Sequence, residues 1–467
     1  MKIISELTTR AHDAFSMKLF PSVSNLQRLA RPSRRPFALA YLEGFRFRTS
    51  AAGWSEDRKL EWILGRLRHS VRRAYDETTY YRSLFRRIGF DPWADFTFED
   101  YARLPVLERQ DVLDAGADLI SRAVPPSLLR KDATGGSTGR PTELWLGPEE
   151  IGWRDSAGDF FRQAMGAPPG VRTGFFWGHH LDPVANDRLR DRYYSFVTNV
   201  RWFDCFRLSP EVLEGYHREF ERWRPACIVA YAGALGVLAN HIKDRGYRPN
   251  YPSSCLITGG EKLLPHHRQA VESVFESPVY ERYGSRDAGY IGFQMPQAGS
   301  HDFIIDWANI IVEPETSDPQ SSVLVTKLHA DGFPMLRYRI GDMARFPDGA
   351  APGHPALALR EVVGREVDRI WLPSGGWVNG IEMPHLIKDY PIQAFNVVQR
   401  ADYSIEVNIV PRKTFGDESR RNLLAIMAAN FQGLPIKIEL VEDIPLTKAN
   451  KWRPVISEVK MSQGRPA

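Results

Sequence analysis

A run of small and hydroxyl-bearing residues is the part of the chain whose composition points most directly to chemistry. Residues 134–139 are Thr-Gly-Gly-Ser-Thr-Gly, followed by Arg140 and Pro141. Glycine permits backbone conformations with positive φ and a close approach to a ligand, and successive N–H groups in such a turn form a concave site for anionic oxygen. The run therefore indicates a phosphate-binding loop, with a flexible hairpin loop as the alternative. It is not a Walker A loop, because its glycines have a different spacing and no Gly-Lys-Ser/Thr follows.

Two further polar, glycine-containing turns each close a predicted strand. They are Thr258-Gly-Gly-Glu261 and Tyr283-Gly-Ser-Arg-Asp287. In an α/β sheet, ligands bind in the crevice beyond the carboxyl ends of the strands. We therefore expect both turns to be ligand-binding loops.

The elements that must position these loops alternate along the middle of the chain. Short apolar runs predict strands over Thr173–Trp177, Cys227–Tyr231, Cys255–Thr258 and Val279–Tyr283. Intervening segments predict helices from Pro148 to about Met165 and over Pro210–Arg222, Ala234–Arg245 and Pro265–Phe275. This alternation predicts an α/β sheet with helices packed against it.

The flanking regions have different patterns. Residues 1 to about 100 are expected to be mostly helical, including one amphipathic helix that runs from about Leu60 to near Arg82. Antiparallel strands are predicted over Ile310–Val312, Ser322–Leu328 and Pro334–Tyr338. Beyond Arg365, strands at 395–399, 403–410 and 436–441 around a helix over 417–431 predict a small βαβ-type cap.

Composition limits the classes of function. The chain has 467 residues, enough for two or three domains, and 61 basic against 57 acidic residues give a net charge of +4. So small a charge, with scattered bases, argues against a nucleic-acid partner. Basic residues near the amino terminus, among them Arg35, Arg46 and Arg48, are expected to form a solvated arm.

The three cysteines and the hydropathy bear on compartment. Cys205, Cys227 and Cys255 have no CxxC spacing, which is typical of buried free thiols in a reducing compartment. No apolar run of about eighteen residues predicts a membrane span, and no secretory signal is evident. We therefore expect a cytoplasmic protein. The oligomeric state is not determined by these features.

Taken together, the loops resemble those of the adenylate-forming superfamily, and specifically the phenylacetate–coenzyme A ligase family with its branch from capsular-polysaccharide loci. Seven ordered matches over about residues 75–460 carry the resemblance: Leu104-Pro-Val-Leu, Ala133-Thr-Gly-Gly-Ser-Thr-Gly-Arg-Pro141, Thr258-Gly-Gly-Glu261, Tyr283-Gly-Ser-Arg-Asp287, Tyr338-Arg-Ile-Gly-Asp342, Val363-Gly-Arg365 and Pro445-Leu-Thr-Lys-Ala-Asn-Lys451. The resemblance implies an α/β fold. A large amino-terminal domain of mixed sheets would comprise a helical region (1–100) and an ATP- and acid-binding core (101–364), followed by a small mobile α+β domain (365–467).

The resemblance also implies a reaction. Such ligases join a carboxylic acid to AMP from ATP with release of pyrophosphate, and many then pass the acyl group to coenzyme A. The nucleotide-binding residues that it implies are Thr134, Gly135, Gly136, Ser137, Thr138, Gly139, Gly260, Glu261, Tyr283, Gly284, Ser285, Asp342 and Arg365. Lys451 is implied to bridge the acid, the α-phosphate and the ribose as the acyl-adenylate forms.

Asp287 occupies the place of a magnesium-binding glutamate, and Mg²⁺ accepts one or two carboxylates together with phosphate oxygens. On local sequence alone Asp287 and Asp342 are also compatible with turns, Arg365 with a structural salt bridge, and Lys451 with a solvated loop. Lys448 is close enough to be confused with Lys451.

Several features depart from the family pattern. Val367 stands where relatives carry an acidic hinge residue. In the family the small domain rotates about this point between adenylation and thioester formation, so the substitution bears on the second step more than on the first. The segment after the Tyr-Gly loop has His301 but no cysteine, so we predict no zinc. The acid-binding pocket is expected near Trp177, His179 or His180, and Tyr231, whose character suggests a small or aromatic acid. Transfer to an amine or a sugar, and a catalytically inactive binding protein, are the alternative functions.

Overall fold

The structure is a computed structural model that describes residues 34–133, 142–177, 198–205, 208–296, 300–365, 369–373, 377–379, 387, 390–412, 414–431, 434–444, 455–459, 461–462 and 465–466. The chain divides into two compact units. Of the described residues, the large unit comprises 34–133, 142–340 and 344–362, and the small unit comprises 341–343 and those from 363 onward.

From residue 34 the amino-terminal part of the large unit is helical, as predicted, whereas residues 1–33 of that prediction lie outside the described residues. Its helices are α1 (Arg35–Ala51), α2 (Glu56–Glu77), α3 (Thr79–Ile88), α4 (Phe98–Ala102) and α5 (Arg109–Ala115). The single helix predicted from Leu60 to Arg82 is wrong, because Thr78 is extended and separates α2 from α3. Its hydroxyl caps α3 by accepting from the Tyr81 backbone N–H.

Helix α1 packs against α6 (Pro148–Ala164) through small residues and a buried arginine. A Cβ at Gly152 of α6 would lie 2.5 Å from the Cβ of Ala40, so the backbones approach where glycine leaves room. Arg48 donates from Nε and Nη2 to the two carboxylate oxygens of Asp306, at 2.8 and 2.7 Å. The solvated arm expected here is therefore wrong at Arg48, which is buried by this bidentate pair.

The hairpin β1 (Arg130–Ala133) and β2 (Glu143–Leu146) precedes α6. The strands that follow, up to residue 365, are in chain order β3 (Thr173–Trp177), β4 (Val200–Asp204), β5 (Cys227–Tyr231), β6 (Cys255–Gly259), β7 (Val279–Ser285), β8 (Gly289–Gln294), β9 (Phe303–Ile305), β10 (Ile310–Pro314), β11 (Gln320–Lys327), β12 (Tyr338–Arg345), β13 (Ala358–Leu359) and β14 (Glu361–Arg365). Three helices lie among them: α7 (Pro210–Trp223), α8 (Ala232–Asp244) and α9 (Pro265–Phe275).

Eight of these strands form one mixed sheet, in the order β13-β9-β8-β7-β6-β5-β3-β4. Strands β4, β3, β5, β6 and β7 are parallel, whereas β7-β8, β8-β9 and β9-β13 are antiparallel. The predicted α/β sheet is confirmed, and the first two predicted strands have the observed bounds. Helix α6 covers one face of the sheet with Ala157 and Phe161, and α7, α8 and α9 pack against the other.

A second sheet has the order β10-β11-β12-β14. Strands β10 and β11 are antiparallel, as predicted. The third strand, predicted over Pro334–Tyr338, instead begins at Tyr338. Arg337 has a φ of 52°, which interrupts the extended backbone. Its guanidinium is buried and donates to Glu313 at 3.0 Å.

The small unit has its own core. Its described elements are β15 (Arg369–Trp371), β16 (Trp377–Asn379), β17 (Ile392–Gln399), β18 (Ile405–Pro411), α10 (Asp417–Asn430), β19 (Ile436–Leu440), β20 (Val455–Ser457), β21 (Met461–Ser462) and β22 (Arg465–Pro466). Strands β18 and β19 are parallel and α10 lies between them in the chain, so the predicted βαβ unit is confirmed. Phe431, Leu423 and Val407 lie at the centre of this core.

The cysteines have the state expected from the sequence. Cys205, Cys227 and Cys255 are free and buried. In the part of the chain that the structure describes, no helix combines the length and the apolar character that crossing a bilayer requires.

Candidate active site

The glycine run 134–139 lies in the sequence between the two strands of the hairpin β1–β2. The strands are antiparallel, with Ala133 opposite Glu143, so the last residue before the loop is fixed against the first strand residue after it. Arg109 Nε donates to the hydroxyl of Thr142 at 3.1 Å, which holds the far end of the loop. The residues of the loop itself, Thr134, Gly135, Gly136, Ser137, Thr138 and Gly139, lie outside the described residues.

The predicted loop Tyr283–Asp287 covers the end of β7 and the beginning of the tight turn into β8. A Cβ at Gly284 would overlap the carbonyl oxygen of Gly289, so only glycine allows the two strands to approach here. Ser285 Oγ accepts from the Ala288 backbone N–H at 3.1 Å and closes the turn. Tyr283 is largely buried, and its ring packs edge-on against Phe303 at 6.3 Å between centroids.

Asp287 is held by a residue from β12. The hydroxyl of Tyr338 donates to Asp287 Oδ2 at 3.0 Å. Tyr338 is buried, and the backbone beside it is fixed by Leu107, whose N–H donates to Arg337 O at 3.0 Å and whose carbonyl accepts from Arg339 N–H at 3.1 Å. The Leu104–Leu107 motif therefore acts on the site indirectly, because it positions the tyrosine that orients Asp287.

Arg286 connects the two loops. Its Nη1 donates to the carbonyl oxygen of Ala133 at 2.9 Å, and the same nitrogen lies 3.8 Å from Asp132 Oδ1. Ala133 is the residue immediately before the glycine run. The start of that run is therefore fastened to the turn that carries Asp287.

The predicted loop Thr258–Glu261 covers the end of β6 and the two residues after it. Gly260 has a φ of +81°, and a Cβ there would collide with the ring of Tyr231, so glycine is required for two reasons. Glu261 Oε1 accepts from the Gly233 backbone N–H at 2.6 Å, in the first turn of α8. That turn presents unpaired N–H groups and a positive dipole end, which favour a carboxylate.

Aromatic side chains occupy the carboxyl ends of β3 and β5, where the acid pocket was expected. Trp177 and Tyr231 stack with centroids 4.0 Å apart, and the Arg282 guanidinium lies 4.7 Å from the Trp177 centroid. Burial raises the pKa of Tyr231 to about 12, so its phenol stays protonated at neutral pH. Burial also raises the pKa of the Cys205 thiol to about 12, which makes it a poor nucleophile. His179 and His180 lie outside the described residues.

Asp342 and Arg365 meet within the small unit. Arg365 Nε lies 3.0 Å from Asp342 Oδ1, and Asp342 is buried while the arginine side chain is 53% exposed. Asp342 lies within β12 and not in a turn. The salt bridge considered for Arg365 is thus present, and it fixes the carboxylate of Asp342. Lys451, Lys448 and Val367 lie outside the described residues.

Within the large unit, the predicted residues Gly260, Glu261, Tyr283, Gly284, Ser285 and Asp287 lie at the carboxyl ends of adjacent parallel strands. Backbone N–H groups, a fixed carboxylate and an aromatic ring at such an edge can bind a nucleotide with its metal ion. Sequence reasoning missed the roles of Arg286 and Tyr338. Both belong to the motifs already quoted, but no local pattern reveals their partners.

Comparison with known proteins gives a consistent result. Residues 370–458 match the model of the CapK C-terminal domain family. Protein CapK of Staphylococcus aureus is 19% identical over 374 residues, which cover 78% of this chain and 82% of that protein. Phenylacetate-coenzyme A ligase of Pseudomonas putida is 25% identical over 318 residues, covering 66% of this chain and 70% of that protein.

Solved structures show the same fold. The structure of 2-hydroxyisobutyryl-CoA ligase in the postadenylation state has a TM-score of 0.67 at 18% identity, over 86% of this chain and 90% of that chain. An open conformation of that ligase in complex with 2-HIB-AMP and CoA has a TM-score of 0.56. The predicted α/β fold of the adenylate-forming type is confirmed. The resemblance of this chain to phenylacetate–coenzyme A ligases and CapK is confirmed as well.

Proposed function

We propose that this protein is an ATP-dependent ligase that converts a carboxylic acid to an acyl-adenylate with release of pyrophosphate, and then transfers the acyl group to coenzyme A. The supporting observation is the hydrogen bond from Arg286 to Ala133 O, which fastens the start of the glycine loop to the Asp287 turn. A phosphate-binding loop and a metal-binding carboxylate must act on the same triphosphate, so this link is what the reaction requires. Two of the proteins named above, the phenylacetate-coenzyme A ligase of Pseudomonas putida and 2-hydroxyisobutyryl-CoA ligase, are ligases of this kind.

In the first step a carboxylate oxygen of the acid attacks the α-phosphorus of ATP. The new P–O bond forms as the bond to the β-phosphate oxygen breaks, and the electron pair leaves with pyrophosphate. The protein contributes by positioning and by stabilising the developing charge. We assign the β- and γ-phosphates to the N–H and hydroxyl groups of residues 134–139, and the adenine to a slot between Gly260-Glu261 and Tyr283-Gly284.

Three residues complete the nucleotide site in this proposal. Asp342, held by Arg365, accepts hydrogen bonds from the ribose hydroxyls, since an ionised carboxylate has two acceptor oxygens. Lys451 carries its charge to the α-phosphate and the attacking carboxylate. Asp287 fits Mg²⁺, because that ion takes one or two carboxylates with phosphate oxygens and water. When bound, Mg²⁺ neutralises phosphate charge, and the hydrogen bond from Tyr338 orients the carboxylate that would hold it.

In the second step the coenzyme A thiol loses its proton and attacks the acyl carbonyl, and AMP leaves with the electron pair of the mixed anhydride. An amine or a sugar hydroxyl could attack the same carbon. The acceptor is therefore tested separately from the adenylation.

The test of adenylation is ATP–pyrophosphate exchange with a panel of carboxylic acids. We expect acid-dependent exchange by the wild-type protein. Lys451→Ala should reduce exchange by about three orders of magnitude or more, because it removes charge stabilisation present only in the transition state, while the Kd for ATP stays within a few-fold. Lys448→Ala is the matched control and should retain exchange.

Coenzyme A is then added and the thioester is measured by mass spectrometry. Thioester formation supports the second step. If the adenylate instead yields product only when an amine or a sugar is added, that compound and not coenzyme A is the acceptor. Protein that binds no ATP and supports no exchange with any acid would refute the proposal. Unchanged exchange in Lys451→Ala would refute the role of that lysine.

A further inference from the structure

We propose that the acid-binding pocket selects an acid with a second anionic group, of the dicarboxylate class, and that Arg154 and Arg282 hold this second group. The inference rests on the proposed function, since it names the substrate class of the same site. The reacting carboxylate is then left to the nucleotide side of the pocket.

Arg282 is held where a ligand at the sheet edge would meet it. It is the fourth residue of β7 and stands on the same sheet face as Trp177, at the edge where Gly260 and Tyr283 lie. Its guanidinium lies 4.7 Å from the Trp177 centroid and 5.5 Å from that of Tyr290, and Nη1 donates to the Tyr290 hydroxyl at 3.3 Å. A guanidinium stacked on a ring keeps its donor edge free for a planar anion.

Arg154 reaches the same place from helix α6. A Cβ at Gly289 would lie 2.6 Å from Arg154 Nε, so the arginine stem crosses the backbone directly beside Tyr290. One turn further along α6, a Cβ at Gly158 would lie 2.8 Å from Cε2 of Tyr290. Arg154 and Arg282 therefore flank one tyrosine, and the absence of a side chain at Gly158 lets that ring pack directly on the helix.

Among the described residues, neither guanidinium is hydrogen-bonded to a carboxylate. Arg154 is 18% exposed, and its Nη1 is buried without a hydrogen-bond partner in the described part of the chain. The nearest carboxylate, Glu150, lies 3.8 Å away and is already paired with Lys327 Nζ at 2.9 Å. Among the described residues, Arg282 donates to the hydroxyl of Tyr290 and to no carboxylate.

A half-buried guanidinium that no carboxylate hydrogen-bonds is unfavourable, because burial removes hydration that its present neighbours only partly replace. An incoming carboxylate supplies both the charge and two parallel acceptors, which is the geometry that arginine recognises best. The apolar part of a monocarboxylic acid would instead exclude water from both guanidinium groups and offer them no acceptor. Charge complementarity therefore favours the diacid.

The test compares matched acids in the pyrophosphate exchange assay: succinate against butyrate, and isophthalate against benzoate. We expect the diacid of a pair to have the lower KM. Arg282→Gln and Arg154→Gln should each raise KM for the diacid by about two orders of magnitude, while KM for the monoacid and for ATP stays within about two-fold. Arg282→Lys retains the charge but cannot donate two parallel hydrogen bonds to a carboxylate. Its KM for the diacid should therefore fall between that of the wild type and that of Arg282→Gln.

Arg201→Gln is the matched control. Arg201 also lies 4.7 Å from a tryptophan centroid, that of Trp223, but it belongs to β4 near the opposite end of the strands from Trp177. Its loss should leave KM for every acid unchanged. Thermal unfolding of each variant shows whether the fold is retained, and Arg154→Gln tests the same subsite from another element if Arg282→Gln does not fold.

Binding of succinate by equilibrium dialysis separates this inference from the proposed function. Succinate bound by the wild type and lost in both glutamine variants supports the subsite, even if no acid supports exchange. Exchange that favours the monoacids and is insensitive to both variants overturns the subsite and leaves the ligase intact. Equal rises in KM for monoacids and diacids also overturn it, since the arginines would then hold the reacting carboxylate.

Discussion

Tyr338 shows how one hydroxyl group can set the geometry of a carboxylate that we propose binds Mg²⁺. It is 2% exposed, and it donates to Asp287 from a strand fixed by Leu107. Residues that orient a metal ligand typically affect metal affinity by 10- to 100-fold. The tyrosine is therefore a positioning residue for the carboxylate.

We predict that Tyr338→Phe raises the Mg²⁺ concentration for half-maximal exchange by about ten-fold, with little change in KM for the acid. Titration of Mg²⁺ in the exchange assay measures this. Tyr101→Phe is the control, because Tyr101 is equally buried and its hydroxyl bonds to Thr326 Oγ1 at 2.6 Å, away from Asp287. A Mg²⁺ requirement that moves equally in both variants would contradict the assignment.

Arg286 makes the second prediction at this scale. Arg286→Gln removes the bond to Ala133 O, so the glycine loop is no longer fastened to the Asp287 turn. We expect KM for ATP to rise about ten-fold, which corresponds to the loss of one charge-assisted hydrogen bond. Lys131→Gln breaks an exposed ion pair with Glu143 in the same hairpin and should have no effect. If both variants bind ATP as the wild type does, the link is not functional.

Among the secondary-structure elements, the junction between α2 and α3 depends on Thr78. Its hydroxyl donates to Ala74 O at 2.7 Å and accepts from Tyr81 N–H at 3.2 Å, so one buried side chain ends one helix and begins the next. We predict that Thr78→Ala lowers the free energy of unfolding of the large unit by about 1–2 kcal/mol. Urea denaturation measures the change.

Ser55→Ala at the exposed start of α2 removes one cap bond of 3.4 Å and should cost less. Equal losses in the two variants would show that burial does not strengthen the Thr78 cap.

The same elements show what the sequence could predict. Apolar runs such as Thr173–Trp177 and Cys227–Tyr231 are buried strands, and their pattern predicts them correctly. Strand Val200–Asp204 was missed because Arg201 and Trp202 are exposed, so burial does not impose an apolar pattern there. Strand β12 begins later than predicted because Arg337 has a positive φ. The local sequence does not indicate this conformation, since arginine rarely adopts it.

The loops of the candidate site were predictable because glycine and hydroxyl residues mark them locally. Their connections were not. Asp287 and Tyr338 are 51 residues apart, and Arg286 and Ala133 are 153 apart. Only the folded sheet brings such pairs together, so no local pattern contains them.

On the scale of the large unit, a buried polar network joins α2, α6 and the segment after β11. His329 stacks on Trp153 at 3.6 Å and donates from Nε2 to Ala308 O, and Arg66 bonds to both His329 and Glu149. Burial lowers the pKa of His329 to about 3. Burial therefore favours the neutral imidazole in the folded protein, against the opposing effect of Glu149 Oε1, which lies 2.9 Å from Nδ1.

This network predicts how stability depends on pH. Below about pH 6.5 the unfolded chain protonates this histidine while the folded protein does not, so its contribution to stability falls as the pH falls. Asp331, whose pKa burial raises to about 6, acts in the opposite direction, since its cost grows as the pH rises toward 6. The wild type alone therefore mixes the two effects.

The difference between the wild type and His329→Gln isolates the histidine. We expect the free energy of unfolding of the wild type, relative to that of the variant, to fall by about 3 kcal/mol between pH 7 and pH 4. Urea denaturation at several pH values measures it. Parallel curves for the two proteins across this range would show that His329 is protonated in the folded state.

The position of β7 in the large sheet has a consequence for turnover. This strand ends the parallel series and also begins the antiparallel one, so it is hydrogen-bonded along both edges, to β6 and to β8. The Tyr283–Asp287 turn thus belongs to a stiff frame, fastened again by Arg286 and Tyr338. We therefore expect this turn to keep its position throughout the catalytic cycle. The conformational changes that accompany replacement of AMP by ATP should occur in other parts of the chain.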